Sequence, residues 1–136
     1  MNTRKNQHFS LPIRVYIEDT DAGGIVFYAN YLKFMERSRT EYIRSLGIEL
    51  RTGMQQNISY VVHSLEIKYK KSARLDDLIT VTSEIIKVGK TYLVFEQHVV
   101  DENNTVLVSA EVKVACVSLD SGKPRALDKH LLEALN

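Results

Sequence analysis

One long helical pattern stands in a chain that otherwise reads as strands, and that imbalance limits the folds open to it. Over residues 28–46, Tyr31, Phe34, Met35, Ser38, Tyr42 and Leu46 recur at spacings of three and four. Lys33, Glu36, Arg37, Arg39, Glu41 and Arg44 fill the positions between them, so the segment is an amphipathic helix with one face to bury. Gly47 supplies a stop. Elsewhere the period is two. Residues 10–17 place Leu11, Ile13, Val15 and Ile17 on one face. After a polar connection at residues 51–57, Val61, His63, Leu65, Ile67 and Tyr69 alternate with Val62, Ser64, Glu66, Lys68 and Lys70. Further strands are expected at residues 78–88, 91–100 and 105–118, with turns at Gly89-Lys90 and at residues 101–104. Residues 120–124 make a last turn, and Asp128 caps a short C-terminal helix.

Tight turns join antiparallel neighbours. Five such strands with one apolar face need a cover, and only the helix over residues 28–46 is long enough to provide it. The expected architecture is α+β: a five-stranded antiparallel sheet wrapped around one central helix. The 136 residues contain no repeat, low-complexity segment or linker and are read as one domain over 1–136. Val62, Val94 and Val100 fall on the other face, and edge strands need protection, so self-association is expected.

With 18 basic and 17 acidic residues the net charge is +1, which is no footprint for a nucleic acid. No apolar run approaches the length of a membrane span. The mildly basic residues 1–5 are followed by the polar Asn6, Gln7 and His8, so no secretory leader is expected. The single cysteine, Cys116, suits a reducing cytoplasm.

Chemistry concentrates in Glu18-Asp19-Thr20-Asp21-Ala22-Gly23-Gly24-Ile25-Val26-Phe27-Tyr28. Two carboxylates close a strand, a glycine pair allows close approach, and a helix follows at once. That order offers a general base or nucleophile beside free helix N-terminal amides that bind an oxyanion, the two parts acyl transfer needs. Taken alone, Asp21 is more often the cap of its own turn, and Asp19 is the weaker candidate of the two. Gly23 and Gly24 leave room for a substrate or simply make the turn. Tyr28 acts only through its N–H, while Asn30 either fixes the helix start or touches substrate. Glu36, a second candidate acid, sits among Lys33, Arg37 and Arg39 and fits surface ion pairing. His8, His63, His98 and His130 lack metal-ligand spacing, so no metal site is expected, and His63 and His98 read as structural groups. A serine-hydrolase elbow, a P-loop and a dinucleotide fingerprint are all absent from the sequence.

These residues resemble the 4-hydroxybenzoyl-CoA thioesterase-like hotdog family. The motif through Val26 carries the likeness together with Asn30-Tyr31 and Glu36-Arg37-Ser38-Arg39-Thr40-Glu41. Ala73-Arg74-Leu75-Asp76-Asp77 and Lys123-Pro124-Arg125-Ala126-Leu127 place it near the YbgC-type branch associated with the Tol-Pal system. The resemblance implies a hotdog fold, homodimers or homotetramers, and a site at a subunit interface. It also implies hydrolysis of a coenzyme A thioester to acid and free coenzyme A, with no metal or other cofactor. A link to Tol-Pal or phospholipid synthesis follows from the same branch. Asp21 matches the family's catalytic aspartate, and the Tyr28 amide matches its oxyanion donor. Gly23, Gly24 and Asn30 are then candidates for substrate contact. Lys90 is the candidate for the coenzyme phosphates, beside Lys70, Lys71, Arg74 and Lys87. Many YbgC-type proteins carry a histidine where this chain has Tyr28. The backbone amide survives that exchange, but a phenol does not replace an imidazole as a base near neutral pH, so more of the work falls to Asp21. Two other readings stay open: a thioesterase or dehydratase acting on acyl-carrier protein, and a binding module without turnover.

Overall fold

The computed structural model describes residues 8–136; the reading of residues 1–5 as free of a leader lies outside them. The elements follow in order as β1 (His8–Arg14), a 3₁₀ turn (Ile17–Asp19), α1 (Asn30–Ser45), α2 (Leu50–Gln55), β2 (Ile58–Tyr69), β3 (Leu78–Val88), β4 (Tyr92–Val100), β5 (Val106–Ser118) and α3 (Lys129–Leu135). The five strands form one antiparallel sheet in the order β1-β3-β4-β5-β2. Short turns make β3, β4 and β5 neighbours. β2 precedes β3 in sequence but lies at the far edge against β5, so residues 70–77 cross the sheet end. No helix among the described residues is long and apolar enough to cross a membrane.

α1 covers the inner face as its stripe requires. Tyr31, Phe34, Met35, Tyr42 and Ile43 are buried with Ile79, Val81, Leu93, Phe95 and Val112 in one apolar cluster. Each large side chain removed from water contributes about 1.5–3 kcal/mol. The polar Ser38 belongs to the stripe for a separate reason. Its hydroxyl meets that of Ser83 at 2.8 Å, and the Gln97 amide donates to Ser83 Oγ at 2.8 Å and to the Met35 carbonyl at 3.1 Å. Arg39 Nη1 donates to Gln97 Oε1 at 2.8 Å. Ser38, Ser83 and Gln97 are all buried, so this is a satisfied polar contact between helix and sheet.

Several expectations are corrected. The first strand ends at Arg14, because the chain turns after Val15: Asp19 N–H donates to the Tyr16 carbonyl and Thr20 N–H to that of Ile17. Ile17, expected on the core face, is 76% exposed. The helix starts at Asn30 and not at Tyr28, which lies in the turn before it. The connection after α1 contains α2, whose Leu50 packs against the core. In β2 the pairing with β5 shifts between Val62 and Ser64, so His63 is an extra, bulged residue. The bulge reverses the parity of the first half-strand. Tyr60 and Val62 therefore share the α1-facing side with Leu65, Ile67 and Tyr69, not the opposite one. Val94 lies off the core face but is buried. It stands in register between Lys87 and Lys113, whose ammonium groups reach over the neighbouring Tyr92 ring.

The outer face carries a row of like charge. Glu84 pairs with Glu96, Glu96 with Glu111, and Glu111 with Glu66, one from each of four adjacent strands. Directly opposed like charges are unfavourable. Two imidazoles border the row: His8 stands opposite Glu84, and His98 Nε2 lies 3.1 Å from Glu96 Oε1 while its Nδ1 meets Ser109 Oγ at 3.0 Å. His98 is thus the satisfied strand histidine the sequence suggested.

Candidate active site

The acidic motif folds as a tight loop tied to the β2–β3 crossover. Asp21 N–H donates to the Ile25 carbonyl at 2.9 Å, and Gly24 N–H to that of Asp21 at 3.1 Å. Of the glycine pair, Gly24 has the positive φ, +78°, which a side chain would resist. Gly23 serves through its N–H, which donates to Asp21 Oδ1 at 2.8 Å. On the other side, Leu75 N–H donates to the Gly24 carbonyl at 3.0 Å and Val26 N–H to the Ala73 carbonyl at 2.9 Å. The loop is therefore fixed at both ends and along its back.

Its two carboxylates separate. Asp19, 8% exposed, accepts from Tyr16 N–H at 2.8 Å through Oδ2 and from Asn30 Nδ2 at 2.7 Å through Oδ1. It also holds the chain entering α1, since Phe27 N–H donates to its carbonyl. Asp21 is exposed, with Oδ1 on the Gly23 N–H. No donor within the described residues occupies Oδ2. It lines a cleft of about 340 Å³ with Phe27, Tyr28, Tyr69, Lys70 and Lys71.

Tyr28 stands at the cleft wall and is 63% exposed. The first α1 amide is engaged, Asn30 N–H donating to the Phe27 carbonyl at 2.8 Å. The N–H groups of Tyr28 and Ala29 have no acceptor among the described residues. They sit at the positive end of the helix dipole. Aromatic rings fix this corner: Tyr28 meets Phe27 at 4.8 Å and Tyr69 at 6.1 Å between centroids, and Tyr69 meets Tyr31 at 5.8 Å. Tyr31 is buried, and its hydroxyl accepts from Ala73 N–H at 2.9 Å. Burial raises its phenol above the ordinary tyrosine range, against the lowering effect of that hydrogen bond. Burial also raises the Tyr69 phenol, with the nearby Tyr28 adding to the shift.

The remaining candidates are dispersed. The Asn30 amide turns inward to Asp19, holding the helix start. Lys90 lies in the β3–β4 turn and not along the cleft, and its carbonyl accepts from Leu127 N–H. Glu36 lines a different, largely apolar groove of about 490 Å³ between α1 and β2, with Leu32, Met35, Arg39, Val62 and Leu65. Its carboxylate accepts from Thr40 Oγ1 at 2.8 Å, a bond within the helix in place of the expected ion pairs. Burial lowers the Arg39 guanidinium below its usual value, partly opposed by Glu36. Among the described residues, no three His, Cys, Asp or Glu side chains converge to ligate a metal. Sequence reasoning passed over Tyr69 and Phe27. The parity shared by Tyr69 and Ile67 was a usable signal for the first, whereas nothing local places Phe27 on Tyr28.

A sheet wrapped on one central helix, with an acid loop at that helix's N-terminus, defines a hotdog thioesterase. The profile of the thioesterase superfamily matches residues 23–108. The chain is 46% identical to Haemophilus influenzae acyl-CoA thioesterase YbgC over 129 residues, 94% of each chain. It is 44% identical to an Escherichia coli acyl-CoA thioester hydrolase YbgC over 124 residues, 91% of this chain and 92% of the relative. The crystal structure of a probable thioesterase from Bartonella henselae superposes with a TM-score of 0.82 at 33% identity, across 89% of this chain and 99% of that one. The protein belongs to the thioesterase superfamily.

Proposed function

We propose that the protein hydrolyses acyl-coenzyme A thioesters, with Asp21 as the catalytic carboxylate and the Tyr28 N–H as oxyanion donor. One observation carries the reading: Asp21, with one oxygen committed and no donor on the other among the described residues, lines a cleft with Tyr28, whose N–H before the helix start has no acceptor among those residues. The names of the YbgC relatives support the substrate class.

In this reaction the thioester oxygen points at the Tyr28 N–H and gains charge as the carbonyl carbon becomes tetrahedral. Asp21 either takes a proton from the attacking water or adds through its free oxygen to form a mixed anhydride that water then cleaves. Either way the carbon–sulfur bond breaks, the sulfur leaves as thiolate and is protonated, and the acid is released. One aimed donor in such a site contributes about 10²–10³ in rate. Gly23 N–H holds the carboxylate in place, which limits the reorganisation needed at the moment of reaction.

The active form we propose is a dimer formed along β2. This twelve-residue edge strand leaves Val62 and Leu65 exposed beside the α1 groove, and Val61 exposed on its other face. A long apolar edge of this kind is a pairing surface for a second copy.

The test is release of free thiol from short, long and aromatic acyl-CoAs by the intact protein and by Asp21→Asn. Turnover lost in the variant, with melting temperature and oligomeric state unchanged, supports the assignment. Turnover retained moves the chemistry away from Asp21, and Glu36→Gln becomes the next variant. No thiol release from any acyl-CoA by the unaltered protein overturns the substrate class.

A further inference from the structure

The outer face of the sheet, on the far side from the α1 groove, carries a second set of chemically useful groups. Alternation turns Gln97, Val99, Val108 and Ala110 inward, where all four are buried, and leaves Glu96, His98 and Ser109 outside. Ser109 pairs in register with His98 on one side and with Lys68 on the other. Three adjacent strands therefore present a base, a hydroxyl and a cation in one transverse row. His98 Nδ1 lies 3.0 Å from Ser109 Oγ, and its Nε2 lies 3.1 Å from Glu96 Oε1. The two bonds that satisfy this imidazole also order it. A carboxylate only accepts, so in the neutral ring the proton sits on Nε2, and Nδ1 is left to accept from the serine hydroxyl. Glu66, Glu111 and Lys68 complete a recess of about 200 Å³ around the three groups. The side chains of His98 and Glu96 are 35% and 46% exposed, so a small molecule can reach them.

A hydroxyl, a base that takes its proton and an acid that fixes the base are recognised by geometry and role, not by chain position. None of these three lines the Asp21 cleft. We propose that Ser109, His98 and Glu96 form a second, slower hydrolytic site that takes small carboxylic esters without negative charge. Ser109 Oγ adds to the ester carbonyl as its proton passes to His98 Nδ1. The carbon–oxygen bond to the alcohol then breaks, and the alcohol leaves with that proton while Ser109 keeps the acyl group. Water adds next and gives a proton to His98; the acid departs and Ser109 Oγ takes the proton back. The imidazolium formed in each half is stabilised by Glu96 at one nitrogen and by Glu66 and Glu111 around the recess. Backbone amides around Ser109 are spent on the sheet ladder, so the developing oxyanion falls to Lys68, the one cation among the described residues lining the recess. The same carboxylates repel anions. An acyl-coenzyme A, with its phosphates, is therefore disfavoured here.

A fluorophosphonate probe, which forms a phosphorus–oxygen bond to an activated serine and releases fluoride, reads this site without any thioester. The intact protein, Ser109→Ala, His98→Gln and Glu96→Gln are labelled, and the adduct is located by peptide mass. The expected result is an adduct on Ser109, absent in Ser109→Ala and formed about 10²-fold more slowly in His98→Gln, with a smaller loss in Glu96→Gln. Glu96→Gln exchanges a single atom and keeps the side chain's shape, so it decides the point if His98→Gln loosens the sheet. p-Nitrophenyl acetate supplies the turnover arm. The hydrolysis that Asp21→Asn performs should drop to the buffer rate in Asp21→Asn/Ser109→Ala and should slow in Asp21→Asn/Lys68→Met. No adduct on Ser109 in the intact protein overturns the proposal. So does an adduct that forms as fast in His98→Gln and Glu96→Gln, or ester hydrolysis that survives loss of the hydroxyl. An adduct that depends on His98 supports it whatever becomes of acyl-CoA turnover, so this site and the reading of Asp21 stand or fall separately.

Discussion

The nook around Asp19 and the cleft around Asp21 lie two residues apart on one loop, and they treat the same side chain in opposite ways. Asp19 is closed off, with both oxygens filled by Tyr16 N–H and the Asn30 amide. Asp21 is exposed and lines the cleft, with one oxygen on Gly23 N–H and no donor on the other among the described residues. The first carboxylate builds the loop and the helix start, and the second is built by them. A buried acid with a donor on each oxygen is committed to holding the fold, whereas an exposed acid held by one bond keeps a fixed orientation and an oxygen without a donor.

The largest expected effect comes from Asp21→Asn. Removing the basic oxygen should lower kcat/KM by roughly 10²–10⁴, while the melting temperature stays put because Asn still accepts from Gly23. A comparable fall in stability would erase the contrast between the two acids.

Asp19→Ala should show the reverse pattern. It leaves the Tyr16 N–H and the Asn30 amide without partners, at a cost of about 2–3 kcal/mol in urea unfolding. The activity that remains should follow the fraction folded. Asn30→Ala should destabilise by about 1–2 kcal/mol for the same reason. A selective rise in KM in that variant would instead make Asn30 a substrate contact, the other of the two roles the sequence left open.

Gly24→Ala tests the loop that joins the two regions. The position has open space for a methyl group but a φ of +78°, so the expected cost is about 1 kcal/mol, from backbone conformation alone. The smallest effect concerns the wall they share. Burial holds the Tyr31 phenol protonated in the folded chain at a pH where the unfolded chain ionises. Its stabilisation is therefore complete below the ordinary tyrosine pKa of about 10 and is lost as pH rises through the folded value. Between pH 8 and 11 the urea midpoint of the unaltered protein should fall more steeply than that of Tyr31→Phe. Tyr42 and Tyr60, also raised by burial, contribute an alkaline decline common to both.

Much of this was legible in the sequence because it is periodic. The α1 stripe, the four later strands and the Asp128 cap follow from spacing and residue type. So did the meeting of Asp21 and Tyr28 at a helix start, since the elements that bring them together are contiguous. What escaped depends on single residues or on distant partners. One bulged residue, His63, reverses the facing of half a strand, and Val-Val-His-Ser carries no mark of it. The division of roles between Asp19 and Asp21 depends on Asn30, eleven positions from Asp19 and visible only once the loop has closed. The glutamate row requires the order β3-β4-β5-β2, which short turns cannot supply, because β2 crosses to the far edge. That Lys70 and Lys71 both line the cleft, out of the five basic candidates, depends on two hydrogen bonds from their N–H groups to one carbonyl, that of Leu107.

The contact of Ser38 and Arg39 with Gln97 and Ser83 also bears on the cleft from a distance. An apolar helix face tolerates small slips against a sheet, since one greasy neighbour replaces another at little cost. Gln97 works instead as a key in a keyway: it grips a main-chain carbonyl and a guanidinium of α1 on one side and a sheet hydroxyl on the other. The keyed point lies about 12 Å along the axis from Asn30 at 1.5 Å per residue. A rigid rod locked there against sliding and rotation carries its first turn with it, so the aim of the amide at Tyr28 is set partly by a glutamine in the middle of the sheet.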